Sequence, residues 1–281
     1  MARHMGILPD QQMKQCAVII VNYNTGEILK SAYQAVLKNP TVKEIIVVDN
    51  ASQDNSMDLL VDDKRLTMHY RKENHGFASS CNYGSQYVGS EYILFLNPDC
   101  IIKDNTISTL IGDLEEDSNA AIVGCMVNNP DGNEQRAARR RLPTLLRAIK
   151  TFTKIEKLAK WCHCFAGVNL NHAPLKKHTY EVEAVSGALI LVRASVFKEL
   201  KGFDENFPLH FEDLDLFKRT KDRGYKTLLN TSVSVIHHQG TSSQSNPKVE
   251  QYKKKGLERY FQKHCSVFAY KMVKSLNKIR R

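Results

Sequence analysis

The side chains best suited to chemistry in this sequence fall just after apolar runs. Asn22, Tyr23, Asn24 and Thr25 follow one run, and Asp49, Asn50, Ala51 and Ser52 follow a second. Asn97, Pro98, Asp99 and Cys100 follow a third. Further on, Glu212, Asp213, Asp215 and Asp222 have a helical spacing, and His237–His238 end another apolar stretch. Carboxylates mixed with carboxamides suit polar ligands and hard cations, and a positioned carboxylate can take a proton from a reacting hydroxyl. Asn, Asp and Ser also cap helices and shape turns, so one such loop would mean little. Several converging on one edge of a sheet mean more. Neither GxGxxG nor GxxxxGK[ST] occurs, so a dinucleotide fingerprint and a P-loop are both unsupported.

The elements that must hold these residues can be read from periodicity. Residues 16–21 (CAVIIV), 44–48 (EIIVV) and 92–96 (YILFL) are nearly unbroken apolar runs, as in strands buried on both faces. Between them lie helical patterns: Leu29, Ala32, Val36 and Leu37; a stretch over 77–88; and Ile107, Leu110, Ile111 and Leu114. Strands alternating with helices predict an α/β chain with a mostly parallel, Rossmann-like sheet flanked by helices. Ligands bind such sheets beyond the carboxyl ends of the strands, where the polar turns lie.

The chain has 281 residues and a net charge of +10, unevenly placed. Residues 136–160 carry +8 and residues 248–281 carry +9, leaving an acidic remainder of −7. Basic segments of this kind attract polyanions, either nucleic acid or an anionic membrane face. They lack interleaved aromatics and any RRM, KH or helix-turn-helix pattern, which argues against nucleic acid. No stretch reaches about 18 apolar residues, and the first residues lack the apolar core of a secretory signal. Seven cysteines without framework spacing read as reduced thiols of a cytoplasmic protein. Cys162, His163 and Cys164 have no second ligand pair, so an ordinary loop outweighs zinc there.

The expected organisation is an N-terminal extension (1–13), set aside as in part foreign to the fold, and one α/β unit (14–245). Within that unit, 128–180 is a basic amphipathic insertion between a first part (14–127) and a last part (181–245). Residues 246–281 form a basic, helical C-terminal extension.

The blocks VIIVNYN (18–24), VVDNAS (47–52), ENHGFASSCNYG (73–84), LFLNPDC (94–100), VSGALILVRASVFKELKGFDENF (185–207), HFEDLDLFKR (210–219) and VIHHQGTSS (235–243) occur in this order. In that order they resemble the family 2 glycosyltransferases of GT-A fold, within them the rhamnosyltransferase-like branch. The resemblance covers about 16–245 and leaves 128–180 and the C-terminal segment unmatched. It makes 14–245 the catalytic domain, with 14–127 the nucleotide-sugar half and 181–245 the acceptor and catalytic half. It implies an inverting transfer of a sugar from a nucleotide-diphosphate donor to a glycan or lipid-linked acceptor. It gives donor binding to Asn22, Tyr23, Asn24, Asp49, Asn50, Ser52, Gly76, Asn82, Asn97 and Asp99. Tyr23 would stack on the pyrimidine and Asp49 would accept its ring N–H. Asn97-Pro98-Asp99 stands where the family carries a DxD motif, its first carboxylate replaced by an amide. Asp99 with His237, or His238 next to it, would then bind Mn²⁺ or Mg²⁺. Asp213 in the Glu212-Asp213 pair would be the general base, and Ser186-Gly187 would lie against the acceptor. The best-fitting donor is dTDP-rhamnose; UDP-hexose, UDP-N-acetylhexosamine and UDP-galactofuranose are the alternatives. Leu145, Ile149, Phe152 and Ile155 would form an apolar stripe on a helix over 144–160, either packed on the body as an ordinary surface helix or laid on a membrane. With the basic C-terminal segment, it would attach the protein peripherally to the inner, anionic face of a membrane. Self-association is left open.

Overall fold

The computed structural model describes residues 14–160, 165–170, 173–207, 209–238 and 247–279. The Cys162–Cys164 cluster and residues 1–13 lie outside the described residues. The strands are β1 (Cys16–Asn22), β2 (Val42–Asp49), β3 (Leu66–Tyr70), β4 (Tyr92–Leu96), β5 (Cys100–Ile101), β6 (Ala120–Asn128), β7 (Arg139–Arg140), β8 (Thr179–Val182), β9 (Ala184–Val185), β10 (Leu189–Arg193) and β11 (Lys226–His237). The helices are α1 (Glu27–Leu37), α2 (Phe77–Ser85), α3 (Thr106–Glu116), α4 (Leu145–Phe152), α5 (Ala194–Glu199), α6 (Glu212–Asp222), α7 (Pro247–His264) and α8 (Val267–Ile279).

The central sheet runs β3-β2-β1-β4-β10-β6-β11-β5, with β8 alongside β11. The β1, β2, β3 and β4 pairings are parallel, as is β6 with β11; β10 runs antiparallel between β4 and β6. This is the GT-A architecture. A strand buried on both faces sends alternate side chains to two cores. Val18 and Ile20 meet the faces of α1 and α3 through Leu29, Tyr33, Val36, Ile107 and Leu110. Ile19 and Val21 belong to the opposite core, with Phe95, Phe197, Phe217, Tyr260 and Phe261. Gly84 lets α2 lie close on the sheet: a Cβ there would come within 3.1 Å of Ile19 and 3.2 Å of Val48.

Two basic segments differ from their reading in the sequence. The helix over 144–160 stops at Phe152. Thr153 Oγ1 donates to the carbonyl of Ile149, Lys154 takes a left-handed φ of 61°, and a 3-10 turn continues over 155–160. Leu145 and Phe152 pack against the core instead of forming an outward stripe, while Ile155 stays exposed. The C-terminal helices also join the body: Tyr260, Phe261, Ala269 and Val273 are buried in the second core. Much of the positive charge is paired at short range: Arg136 with Glu156, Arg139 with Glu134, Arg147 with Glu183, and both Arg259 and Lys263 with Asp204.

Candidate active site

Parallel pairing aligns the carboxyl ends of β1 and β2, so Asn22 and Asp49 are direct register partners. The Asn22 amide donates to Asp49 Oδ1 (2.8 Å), Ser52 Oγ (3.0 Å) and Ser56 Oγ (2.8 Å). Asp49 Oδ2 accepts the Ser52 N–H at 3.0 Å. Asn24 closes the cluster: its N–H donates to Ser52 Oγ and its side-chain oxygen accepts from Gln53 N–H. Asn24 and Ala51 both have left-handed backbones, the cost of turning the chain sharply off two adjacent strands. Tyr23 stands at this rim with 46% of its surface exposed, a free aromatic face.

Asn50 joins this edge to the loop before α2. Its amide donates to Asn74 Oδ1 (2.8 Å), and its oxygen accepts the His75 N–H (3.0 Å). Gly76 heads α2 at φ 82°, a conformation that glycine adopts without strain. Asn82 is not brought to this cluster. Its amide donates to the Phe203 carbonyl and to Glu205 Oε1, its oxygen accepts from Phe203 N–H, and it locks α2 to the loop after α5.

Asn97 and Asp99 follow β4 and meet the end of β11. His237 Nε2 lies 3.1 Å from Asp99 Oδ1 and 3.3 Å from Asn97 Nδ2. The other ring nitrogen is 2.9 Å from Gln135 Oε1, while Gln135 Nε2 donates to the His237 carbonyl at 2.7 Å. Since Oε1 can only accept, Nδ1 donates to Gln135, and this fixes the ring with Nε2 facing Asp99 and Asn97. A ligand histidine is commonly oriented in this way. The His238 side chain is exposed, and its N–H donates to the Asp99 carbonyl. Among the described residues no group of three or more His, Cys, Asp or Glu could hold a metal ion. The Asp99–His237 pair alone would offer a divalent ion one carboxylate and one imidazole nitrogen, so such an ion would need further ligands from a bound phosphate.

The third part of the site faces this pair. Asn97 N–H donates to the Ala188 carbonyl at 2.9 Å, setting the metal-type loop against Ser186-Gly187-Ala188. Ser186 Oγ accepts from Ala188 N–H. Gly187 touches Asp213: a Cβ would fall 2.6 Å from Asp213 Oδ2. Room for the carboxylate thus requires glycine here. Asp213 Oδ1 accepts from Leu214 N–H, and Oδ2 is paired with Arg140, whose Nε and Nη2 also donate to the Val185 carbonyl. Glu212 is buried, and its Oε2 has no hydrogen-bond partner among the described residues. Burial first, and the Asp213 charge second, push the Glu212 carboxyl up to about 8. Asp215 lies two residues on but is fully buried, paired with Arg219, Lys263 and His264.

Gln135 and Arg140 both come from the 128–180 segment, which carries no motif. β7 pairs antiparallel with β9, with Arg140 opposite Ala184, and this delivers the guanidinium to Asp213. Three adjacent arginines, 139 to 141, hid the one that mattered. Only the pairing with β9 separates Arg140 from Arg139 on Glu134 and Arg141 on the carbonyls of Ala166 and Gly167.

A mostly parallel sheet with polar loops at its carboxyl edge, a carboxylate–imidazole pair and a buried carboxylate against Gly187 make up the candidate site of this GT-A scaffold. The profile of Glycosyl transferase family 2 matches residues 17–172, and the chain belongs to that family. It is similar to the rhamnosyltransferase WbbL of Escherichia coli (26% identity over 237 residues, 79% of this chain and 82% of that one). It is also similar to the N-acetylglucosaminyl-diphospho-decaprenol L-rhamnosyltransferase of Mycobacterium tuberculosis (24% over 246 residues, 82% and 78%). Among solved structures, GalNAc-T7 with UDP, GalNAc and Mn²⁺ superposes at TM-score 0.64 with 14% identity, over 96% of this chain and 55% of that one. The mannosyltransferase PcManGT of Pyrobaculum calidifontis, in complex with GDP-Man and Mn²⁺, superposes at 0.61 with 14% identity, over 96% and 71%. The protein is a glycosyltransferase.

Proposed function

We propose that this enzyme transfers rhamnose, with inversion, from dTDP-rhamnose to a glycan or lipid-linked acceptor in cell-surface polysaccharide synthesis. The observation that carries this is the continuity of the site: the Asp49 cluster at the end of β2, the Asp99–His237 pair beside the end of β11 and Asp213 in the first turn of α6 gather at one edge of the sheet, the last two joined through Asn97–Ala188 and Gly187. Tyr23 and Asp49 take the pyrimidine. Asp99 and His237 would hold Mn²⁺ or Mg²⁺, which supplies positive charge to the diphosphate leaving group. The acceptor hydroxyl attacks the anomeric carbon as its proton passes to Asp213, and the bond from that carbon to the diphosphate oxygen breaks. Rhamnose follows from the two relatives above, named as rhamnosyltransferases. Asp49 itself accepts the ring N–H of thymine and uracil alike. A thermal-shift panel of nucleotide sugars with Mn²⁺, followed by transfer assays, tests the donor. The expected result is the largest shift and turnover with dTDP-rhamnose; a preference for UDP-hexose, UDP-N-acetylhexosamine or UDP-galactofuranose reassigns it.

The same reading places the enzyme on the inner, anionic face of a membrane. No helix among the described residues is long and apolar enough to cross one. α8 exposes Val267 (69%), Phe268 (67%) and Met272 beside Lys271, Lys274 and Lys278, an apolar face edged with cations. Each Lys near an anionic leaflet contributes roughly 1 kcal/mol, screened by salt. Deleting 248–281 would remove the buried Tyr260 and Phe261, so point changes are the cleaner test. Co-sedimentation with vesicles should require anionic lipid, fall at high salt and weaken in F268S/M272S. A protein that stays in the supernatant with anionic vesicles at low salt lacks this attachment.

A further inference from the structure

The turn that delivers Asp213 is an unusual one. His210 and Phe211, neither of them glycine, take left-handed φ values of 66° and 73° in succession, and α6 begins at the next residue. Such backbone persists only where its surroundings impose it. The surroundings here are one face of α7. Gly256, in the middle of that helix, lies against the turn: a Cβ would fall 2.8 Å from the His210 carbonyl oxygen and 3.0 Å from a Phe211 ring carbon. One turn on, the Tyr260 ring is 6.3 Å from the Phe211 ring. At the end of the helix, Lys263 and His264 both reach Asp215 Oδ1 at 2.7 Å, inside the first turn of α6. That first turn closes on Phe211, whose carbonyl accepts the Asp215 N–H at 2.9 Å. Glycine weakens a helix interior relative to alanine, so its place in KKKGLERYF needs a reason, and the close approach supplies one.

We propose that α7 is a positioning element for the proton-accepting carboxylate, with Gly256 as its point of contact. The bare backbone at 256 lets the helix seat against His210 and Phe211. The turn then stays left-handed, and Asp213 is aimed at Gly187 and Arg140 rather than into solvent. This rests on reading Asp213 as the base. It gives the C-terminal segment a part in the chemistry that its Lys-rich composition conceals.

The test is Gly256→Ala in the full chain, beside Gly112→Ala, whose added Cβ on the exposed side of α3 meets nothing within 4 Å. Small misplacements of a catalytic group cost up to about 100-fold. G256A should therefore lower kcat by about 10-fold to 100-fold while the donor KM and nucleoside-diphosphate affinity stay within about twofold, a split that general loosening of the fold would not give. G112A should leave all three unchanged. If G256A does not fold, Tyr260→Leu loosens the same contact without adding an atom, and it should lower kcat with nucleotide affinity intact. A folded G256A with wild-type kcat, or a parallel loss of nucleotide affinity, overturns the proposal. Asp213→Asn assayed alongside separates the two failures. Full activity in D213N removes the base assignment itself, whereas an inactive D213N with a fully active G256A removes only the role of α7.

Discussion

Asp213→Asn lowers the rate of sugar transfer by a factor of at least about 10² and leaves nucleotide affinity nearly unchanged. The substitution keeps the size of the side chain, and its oxygen can still accept from Leu214 N–H or Arg140, the two donors that hold Asp213. What it removes is the lone pair of an ionised carboxylate able to accept the acceptor proton. Glu212 is a poor substitute: burial, the larger cause of its raised carboxyl, persists when the Asp213 charge is removed. The nucleotide contacts assigned to Asn22, Asp49 and Ser52 rest on β1 and β2 and their loops, so they survive the change. Steady-state transfer with the donor identified by the panel, and calorimetric titration of the nucleoside diphosphate, measure the two quantities. Wild-type turnover in D213N would sink the assignment.

The loops at the carboxyl edge were legible because each follows an apolar run whose burial fixes the strand. Val18 and Ile20 on one face, with Ile19 and Val21 on the other, leave Asn22 the first polar side chain of β1. Asp49 and Asn97 are located in the same way after β2 and β4. The order of seven motif blocks then carried the reading as far as Asp99, Asp213 and His237. Residues whose roles depend on long-range pairing were not legible. Arg140 matters through β7–β9, 73 residues from Asp213, and Gln135 through His237, 102 residues away. Neither contact leaves a local pattern. Charge counting could not show where α7 sits for a related reason: net charge is blind to pairing, and Lys263 and His264 face the buried Asp215. Composition also could not show that Leu145 and Phe152 of α4 turn inward while its Leu146 and the start of α8 turn out.

Asp99→Ala abolishes the Mn²⁺-dependent part of nucleoside-diphosphate binding, and His237→Ala weakens it less. Asp99 contributes the negative charge of the pair, and His237 contributes a neutral nitrogen. Loss of the charge is the greater loss toward a divalent cation. With one carboxylate and one imidazole, the protein alone should bind Mn²⁺ weakly, and the nucleotide's phosphates should tighten it by completing the ligand set. Gln135 supplies an internal check. It touches His237 at both Nδ1 and the carbonyl, so Gln135→Leu keeps the ligand but releases its ring. Changes to outer-shell partners of this kind cost about 10-fold to 100-fold in metal affinity. The expected order of Mn²⁺ affinity in the presence of nucleoside diphosphate, read from the free-ion electron paramagnetic resonance signal, is wild type, then Gln135→Leu and His237→Ala, then Asp99→Ala. In transfer assays EDTA should stop the wild-type enzyme, and added Mn²⁺ should restore it. Full transfer in EDTA, or Mn²⁺ binding in Asp99→Ala equal to wild type, takes the metal away from this pair and leaves Asp99–His237 as a polar contact between the loop after β4 and the end of β11.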